Sequence, residues 1–92
     1  MSKKAIKNAN ETLRYLSLGS YHLITEEMYK DLLKIFKTIN YDEKSKQEIL
    51  RVAYASTHTN TSLLTNEDIK CIDDFDSSFN SNTLGEIRAL IQ

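Results

Sequence analysis

Hydrophobic residues recur every three or four positions along most of the chain, a spacing that predicts amphipathic helices. The first helix is predicted from about Lys4 to Leu18. Its apolar face consists of Ile6, Ala9, Leu13 and Leu16. Gly19 is expected to end this helix, because glycine adopts the left-handed conformation of a helix end without steric strain. Residues 20–23 are then predicted to form a loop.

The second helix is predicted to begin after Thr25, whose hydroxyl can accept a hydrogen bond from an exposed backbone amide. Ile24 and Tyr29 flank this cap at the spacing of a hydrophobic staple. The most regular apolar stripe in the chain follows the cap. It consists of Met28, Leu32, Ile35, Phe36 and Ile39.

A third helix is predicted after a turn at residues 40–42, and two starts fit the sequence. The helix begins either at Asp42 or at Ser45, because Ser45 and Glu48 have the spacing of a capping box. It is expected to end near Ser56. The following polar side chains, 57–62, compete with the backbone for hydrogen bonds and predict a loop.

Two helices are predicted in the last third of the chain. The fourth begins at Thr65, which has capping-box spacing to Asp68, and runs to about Phe79. Its inward stripe is predicted to be Ile69, Ile72, Phe75 and Phe79. After a polar link at residues 80–82, Thr83 is predicted to cap a short fifth helix. The apolar residues of that helix are Leu84, Ile87, Leu90 and Ile91.

Composition agrees with a helical protein. The chain has no proline and only two glycines, whereas the turns of β-rich domains depend on both residues. Its 92 residues leave room for a single domain, residues 1–92. We therefore predict an all-α fold, an antiparallel helical bundle of four main helices plus a short C-terminal helix. The predicted core includes Leu32, Phe36, Ile49, Ile72 and Phe75.

The sequence predicts a cytoplasmic protein without a membrane span. The single cysteine, Cys71, excludes an internal disulfide, and residues 1–7 lack the apolar stretch of a secretory signal. The longest apolar runs fall far short of the roughly 18 residues that a spanning helix requires.

No group of residues has the spacing of a catalytic, metal or cofactor site. His22, His58 and Cys71 lie in three separate segments, outside the spacings of zinc sites. The acidic run of the fourth helix does not match an EF-hand loop, because glycine is missing from the sixth position and glutamate from the twelfth. Two isolated glycines cannot form a phosphate-binding loop. We therefore expect no enzyme activity and no cofactor.

Charge is distributed unevenly, although the net charge is only −1. Residues 1–51 contain ten Lys or Arg and seven Asp or Glu, which gives +3, and residues 52–92 contain two and six, which gives −4. An acidic face is therefore predicted on the fourth helix. It is formed by Glu67, Asp73, Asp74 and Asp76. This face is either solvated or a docking surface for a basic partner.

DNA binding is an alternative that the sequence disfavours. Lys30, Lys34 and Lys37 could contact phosphates, but neighbouring carboxylates dilute their positive field. A helix-turn-helix also fits poorly, because the segment before the fourth helix is about eight residues long and that helix is acidic.

The chain contains five tyrosines, and a surface tyrosine is a common anchor of protein interfaces. Partial burial in the core with a solvated hydroxyl is the alternative interpretation. Tyr54, together with His58, joins the acidic residues as a candidate partner-binding residue.

Asn60 to Ile69 (NTSLLTNEDI) form a polar loop that passes through two leucines and a threonine cap into a long helix. This junction resembles the one in immunity proteins against pediocin-like (enterocin A type) bacteriocins, and the resemblance extends over residues 28–79. It implies an antiparallel four-helix bundle in the cytosol that protects its producer by engaging the bacteriocin-bound sugar-transporter receptor. In that family the C-terminal half discriminates among bacteriocins, and this half of the present chain departs from the pattern by being acidic.

The sequence therefore predicts a non-enzymatic protein-binding module, with bacteriocin immunity as the specific hypothesis. A phage- or plasmid-encoded helical inhibitor of a host or defence protein is the first alternative, and a DNA-binding regulator is the second. The expected partner is a protein rather than a nucleic acid. The choice between monomer and homodimer stays open.

Overall fold

The computed structural model describes residues 2–79 and 81–91, with Ser81 described by its backbone alone. These residues form α-helices and one 3-10 turn, Tyr21–Leu23, and no strand occurs among them. The helices are α1 (Lys3–Leu18), α2 (Glu26–Phe36), α3 (Glu43–Ser56), α4 (Asn66–Ser78) and α5 (Ser81–Ile91). The prediction of an all-α helical bundle is confirmed.

Polar side chains cap the amino ends of the first four helices. Each cap accepts a hydrogen bond from the backbone amide three residues further on. The caps are Ser2, Thr25, Asp42 and Thr65. Of the two predicted starts of α3, the structure has Asp42, whose carboxylate accepts from both the amide and the hydroxyl of Ser45. These two hydrogen bonds favour the charged carboxylate, and the pKa of Asp42 is therefore below its ordinary value.

The last helix begins earlier than predicted. α5 starts at Ser81, so the predicted cap Thr83 lies inside its first turn and residues 81–82 of the predicted link are helical. Asn80, the remaining residue of that link, lies outside the described residues. The Tyr41 hydroxyl donates to Glu86 Oε2 at 2.7 Å and joins the α2–α3 connection to α5.

Gly19 ends α1 as predicted, with a positive φ of 72°. The next segment, predicted as a loop, contains the 3-10 turn. α2 stops at Phe36, so Ile39 lies beyond the helix rather than on its stripe. The buried ammonium of Lys46 donates to the carbonyl oxygens of Phe36 at 3.1 Å and Ile39 at 3.2 Å, and pairs with Glu43 at 2.9 Å. Lys46 therefore satisfies carbonyl groups at the end of α2 that the helix itself leaves free.

The core lies where α1, α2, α3 and α5 meet. α1 packs along α2, α2 packs on α3, and α5 returns to α1. The largest fully buried apolar side chains are Leu13, Leu32, Ile49, Val52, Leu84 and Ile87. Leu32, Phe36 and Ile49 are buried as predicted.

α4 differs from the other described α-helices, because none of its residues is buried. It packs chiefly on α3, and its stripe reaches only the margin of the core. Ile72 and Phe75 are half-buried, whereas the prediction placed them in the core. The prediction that Ile69 points inward is wrong, since 45% of this residue is exposed. The physical reason is that a single neighbouring helix covers only part of an amphipathic stripe.

Candidate functional site

Exposed apolar side chains gather at the start of α4. Leu63 is 65% exposed and Leu64 36% exposed just before the helix, and Ile69 follows in its second turn. Leu64 and Ile69 occupy the two staple positions around the cap Thr65, so they lie on the same side of the helix start. Clustered apolar side chains without cover commonly mark binding sites. We call the surface formed by residues 63–79 the α4 surface.

Two hydrogen bonds hold the 3-10 turn against the α4 surface and the loop before it. The Tyr21 hydroxyl donates to Asp76 Oδ1 at 2.9 Å, and the Asn60 side-chain amide donates to the His22 carbonyl at 2.8 Å. Burial and the bond to Asp76 raise the pKa of the Tyr21 hydroxyl well above its ordinary value. The hydroxyl therefore remains a donor to the carboxylate throughout the neutral range.

His58 joins the end of α3 to the start of α4. Its Nδ1 lies 3.0 Å from Asp68 Oδ2, and the same oxygen accepts from the Thr65 amide at 3.0 Å. The hydrogen bond from the Thr65 amide, followed by the contact with His58, holds the pKa of Asp68 below its ordinary value. The His58 ring thus makes an internal contact that fixes the junction, in addition to any contact with a partner.

Tyr54 is half-exposed on α3 and belongs to a short row of rings. Its centroid lies 5.3 Å from that of Tyr29 on α2 and 4.8 Å from that of His58, in an edge-on arrangement with the latter. The two neighbours fix the ring while 51% of the residue stays exposed. A rigid, half-exposed tyrosine suits a binding anchor, because little side-chain entropy is lost on contact.

The structure divides the predicted acidic face between two sides of α4. Glu67 and Asp74 line a groove on the side of α3. Asp76 lies on the other side, where it accepts from Tyr21, and the charge of Asp73 also acts on that hydroxyl. The carboxylates therefore flank the apolar stripe of α4 rather than forming one continuous patch.

The groove between α3 and α4 has a volume of about 600 Å³. Cys71, Phe75 and Phe79 form its apolar floor, and the two phenylalanine rings are stacked with centroids 4.5 Å apart. Charged and polar side chains form its rims. They are Glu48 and Arg51 on α3 and Glu67, Lys70, Asp74 and Ser78 on α4. Burial raises the pKa of the Cys71 thiol, so the thiol is neutral at pH 7 and serves as an apolar surface.

Sequence reasoning missed this groove. It named Glu67 and Asp74 as candidate binding residues but not Glu48, Arg51 or Lys70, because those three carry no signal of binding until two helices are placed side by side. A usable signal was the four-residue spacing of Cys71, Phe75 and Phe79, which the prediction assigned partly to the core.

Two other kinds of site are absent from the described residues. No three His, Cys, Asp or Glu side chains converge there into a group that could hold a metal ion. In the same part of the chain, none of the helices combines the length and apolar character that crossing a bilayer requires.

Comparison with known proteins adds no relative. The chain matches no model of a protein family, no curated protein and no solved structure.

Proposed function

We propose that this protein is a protein-binding module whose contact surface is the α4 surface. The supporting observation is the exposure of α4, the one described α-helix in which no residue is buried. It nevertheless begins with a reciprocal capping box between Thr65 and Asp68 and is tied to its neighbours by His58 and Tyr21. A well-formed helix that leaves its apolar side chains partly uncovered is suited to receive a partner.

The resemblance of residues 28–79 to bacteriocin immunity proteins supports a narrower proposal. In that case the partner is the bacteriocin-bound receptor, and the module protects the cell that produces the bacteriocin. The part of the chain that corresponds to bacteriocin discrimination includes α4, which is also the part with the exposed apolar residues.

Site-specific photocrosslinking in cells tests the proposed surface. A photoreactive amino acid at Leu63 should yield discrete crosslinked bands, whereas the same group at the exposed Lys7 on α1 should yield few. The bands should disappear after protease treatment and survive nuclease. Crosslinking confined to Lys7, or bands that nuclease removes, would contradict the proposal.

A protection assay tests the narrower role. Expression of the chain in a strain sensitive to pediocin-like bacteriocins should raise survival against at least one of them, and Leu63→Asp should remove the protection. If the crosslinked protein is instead a host or defence enzyme and survival is unchanged, the module is an inhibitor and immunity is excluded.

A further inference from the structure

We propose that the groove between α3 and α4 receives a cationic amphipathic helix of the partner. This inference rests on the proposed function, because it names the class of partner for the α4 surface. The occupant follows from the shape of the groove floor, the charges of its rims and the unsuitability of a second copy of this chain.

The floor of the groove is long enough for one face of a short helix. Cys71 and Phe75 lie one turn apart on α4, and Phe79, the residue that caps the end of the helix, follows at the same spacing, so the three form one stripe about 12 Å long. A helix that docks in an apolar groove inserts side chains spaced by three, four and seven residues over a similar length. The stacked rings of Phe75 and Phe79 provide apolar contact area for such side chains.

The rims present charged side chains that form no ion pair in the described part of the chain. Among the described residues, none of the three rim carboxylates and neither rim cation takes part in an ion pair within 4.0 Å. The carboxylates are Glu48, Glu67 and Asp74, and the cations are Arg51 and Lys70. The rim therefore has a net charge of −1, since three negative charges exceed two positive ones.

The rest of α4 adds to the negative field. The whole helix of thirteen residues contains five Asp or Glu and one Lys, a net charge of −4, of which Asp68, Asp73 and Asp76 outside the rim contribute −3. A surface with this excess attracts a cationic partner and repels nucleic-acid phosphates. The two rim cations leave places for one or two acidic side chains in an otherwise basic partner helix.

A second copy of this chain fits the groove less well. A symmetric dimer through the α4 surface would bring two acidic helices together, and like charges facing each other oppose association. The most basic helix, α1, cannot act as the occupant either. Its apolar residues Ala9, Leu13 and Leu16 are already buried in the core.

The test uses two synthetic helical peptides of about 18 residues. Both carry leucine at helical spacing on one face, and the remaining positions are mostly lysine in one peptide and mostly glutamate in the other. Backbone amide signals of the full chain are followed by NMR during titration. The lysine peptide should shift signals of α3 and α4, and the glutamate peptide should bind at least about tenfold more weakly.

Charge variants on the rim give the decisive comparison, because exposed substitutions leave the fold intact. Glu67→Gln combined with Asp74→Asn should weaken lysine-peptide binding severalfold, and Lys70→Gln should strengthen it. Glu26→Gln, on the exposed side of α2, is the matched control and should change nothing. Binding of the lysine peptide should also weaken as salt is added.

Three results would overturn the inference: equal binding of both peptides, signal shifts centred on α1 or α2, or no binding of the lysine peptide at millimolar concentration. If crosslinking from Leu63 still captures a protein, the proposed function stands without this occupant. If crosslinking identifies no protein at the α4 surface, the proposed function fails whatever the peptides do.

Discussion

Helices α2 and α4 begin alike but end up in different surroundings. Each starts at a threonine cap and carries an apolar stripe at helical spacing. α2 lies between α1 and α3, and four of its apolar residues are buried, whereas α4 leans on α3 and buries none. The periodicity of a stripe thus predicts a helix, but the number of neighbouring helices decides how much of the stripe leaves water.

The largest expected effect on stability comes from removing one phenylalanine ring from each of the two helices. Phe36→Ala in α2 should lower the free energy of unfolding by about 3 to 5 kcal/mol, because Phe36 is only 3% exposed and its removal leaves a cavity. Phe75→Ala in α4 should lower it by about 1 to 2 kcal/mol, since the ring is half-buried. Urea unfolding followed by circular dichroism measures both. Equal losses would show that α4 belongs to the core as much as α2 does.

A smaller loss is expected where the end of α2 depends on one side chain from α3. Lys46→Met keeps the buried aliphatic part but leaves the Phe36 and Ile39 carbonyls without their donor. We expect the free energy of unfolding to fall by about 1 to 3 kcal/mol. Lys44→Met, at an exposed position of the same helix, is the control and should change it by less than about 0.5 kcal/mol. A neutral Lys46→Met would mean that water satisfies these carbonyls equally well.

The start of α4 should make stability depend on pH. The pKa of Asp68 is lowered from its ordinary value of 3.8 when the protein folds, chiefly by the hydrogen bond from the Thr65 amide. Its stabilisation is therefore complete above pH 3.8 and is lost as the pH falls through the lower folded value. The wild-type protein should exceed Asp68→Asn in free energy of unfolding above that pH, and the difference should shrink in acid.

Urea unfolding at a series of pH values measures this difference, with Asp73→Asn as the control on the same helix. Asp73 makes no ion pair in the described part of the chain, so its variant should follow the wild-type pH profile more closely. A pH-independent gap between wild type and Asp68→Asn would show that the carboxylate charge plays no part in the cap.

The smallest effect on stability is expected at the most exposed apolar residue of the α4 surface. Leu63→Ser should change the free energy of unfolding by less than about 0.5 kcal/mol, because 65% of Leu63 is already in water. The same variant should impair protection, and should weaken crosslinking from a photoreactive group placed elsewhere on the α4 surface, if that surface binds a partner. A large loss of stability would place Leu63 in the fold rather than in the interface.

Helix starts were the features most readily predicted from the sequence. Thr25 and Thr65 cap α2 and α4 as their spacing indicates, because a cap depends on residues only three positions apart. For α3 the sequence allowed two starts, Asp42 and Ser45, and did not distinguish between them; the structure has Asp42 as the cap. The start of α5 was placed too late, since Ser81 precedes the capping-box pattern at Thr83.

Long-range contacts were beyond sequence reasoning. The hydrogen bond from Tyr21 to Asp76 spans 55 positions, and no local pattern connects the two residues. The groove rim also depends on long-range packing, because Arg51 and Glu67 line the same groove only when α3 packs on α4. Tyr54 and His58 were both named as candidate interface residues from the sequence, and the structure shows that their rings touch each other.

Asp68 lies in the first turn of α4 and Asp76 near its end. The carboxylate of Asp68 contacts the His58 ring, and that of Asp76 accepts a hydrogen bond from the Tyr21 hydroxyl. Because no residue of α4 is buried, these two polar contacts help to hold the helix against the end of α3 and the 3-10 turn. The orientation of α4 therefore depends on a histidine and a tyrosine in addition to the partial packing of Ile72 and Phe75 against the core. We therefore expect that replacing either ring changes the angle between α3 and α4, while the core formed by α1, α2, α3 and α5 stays intact.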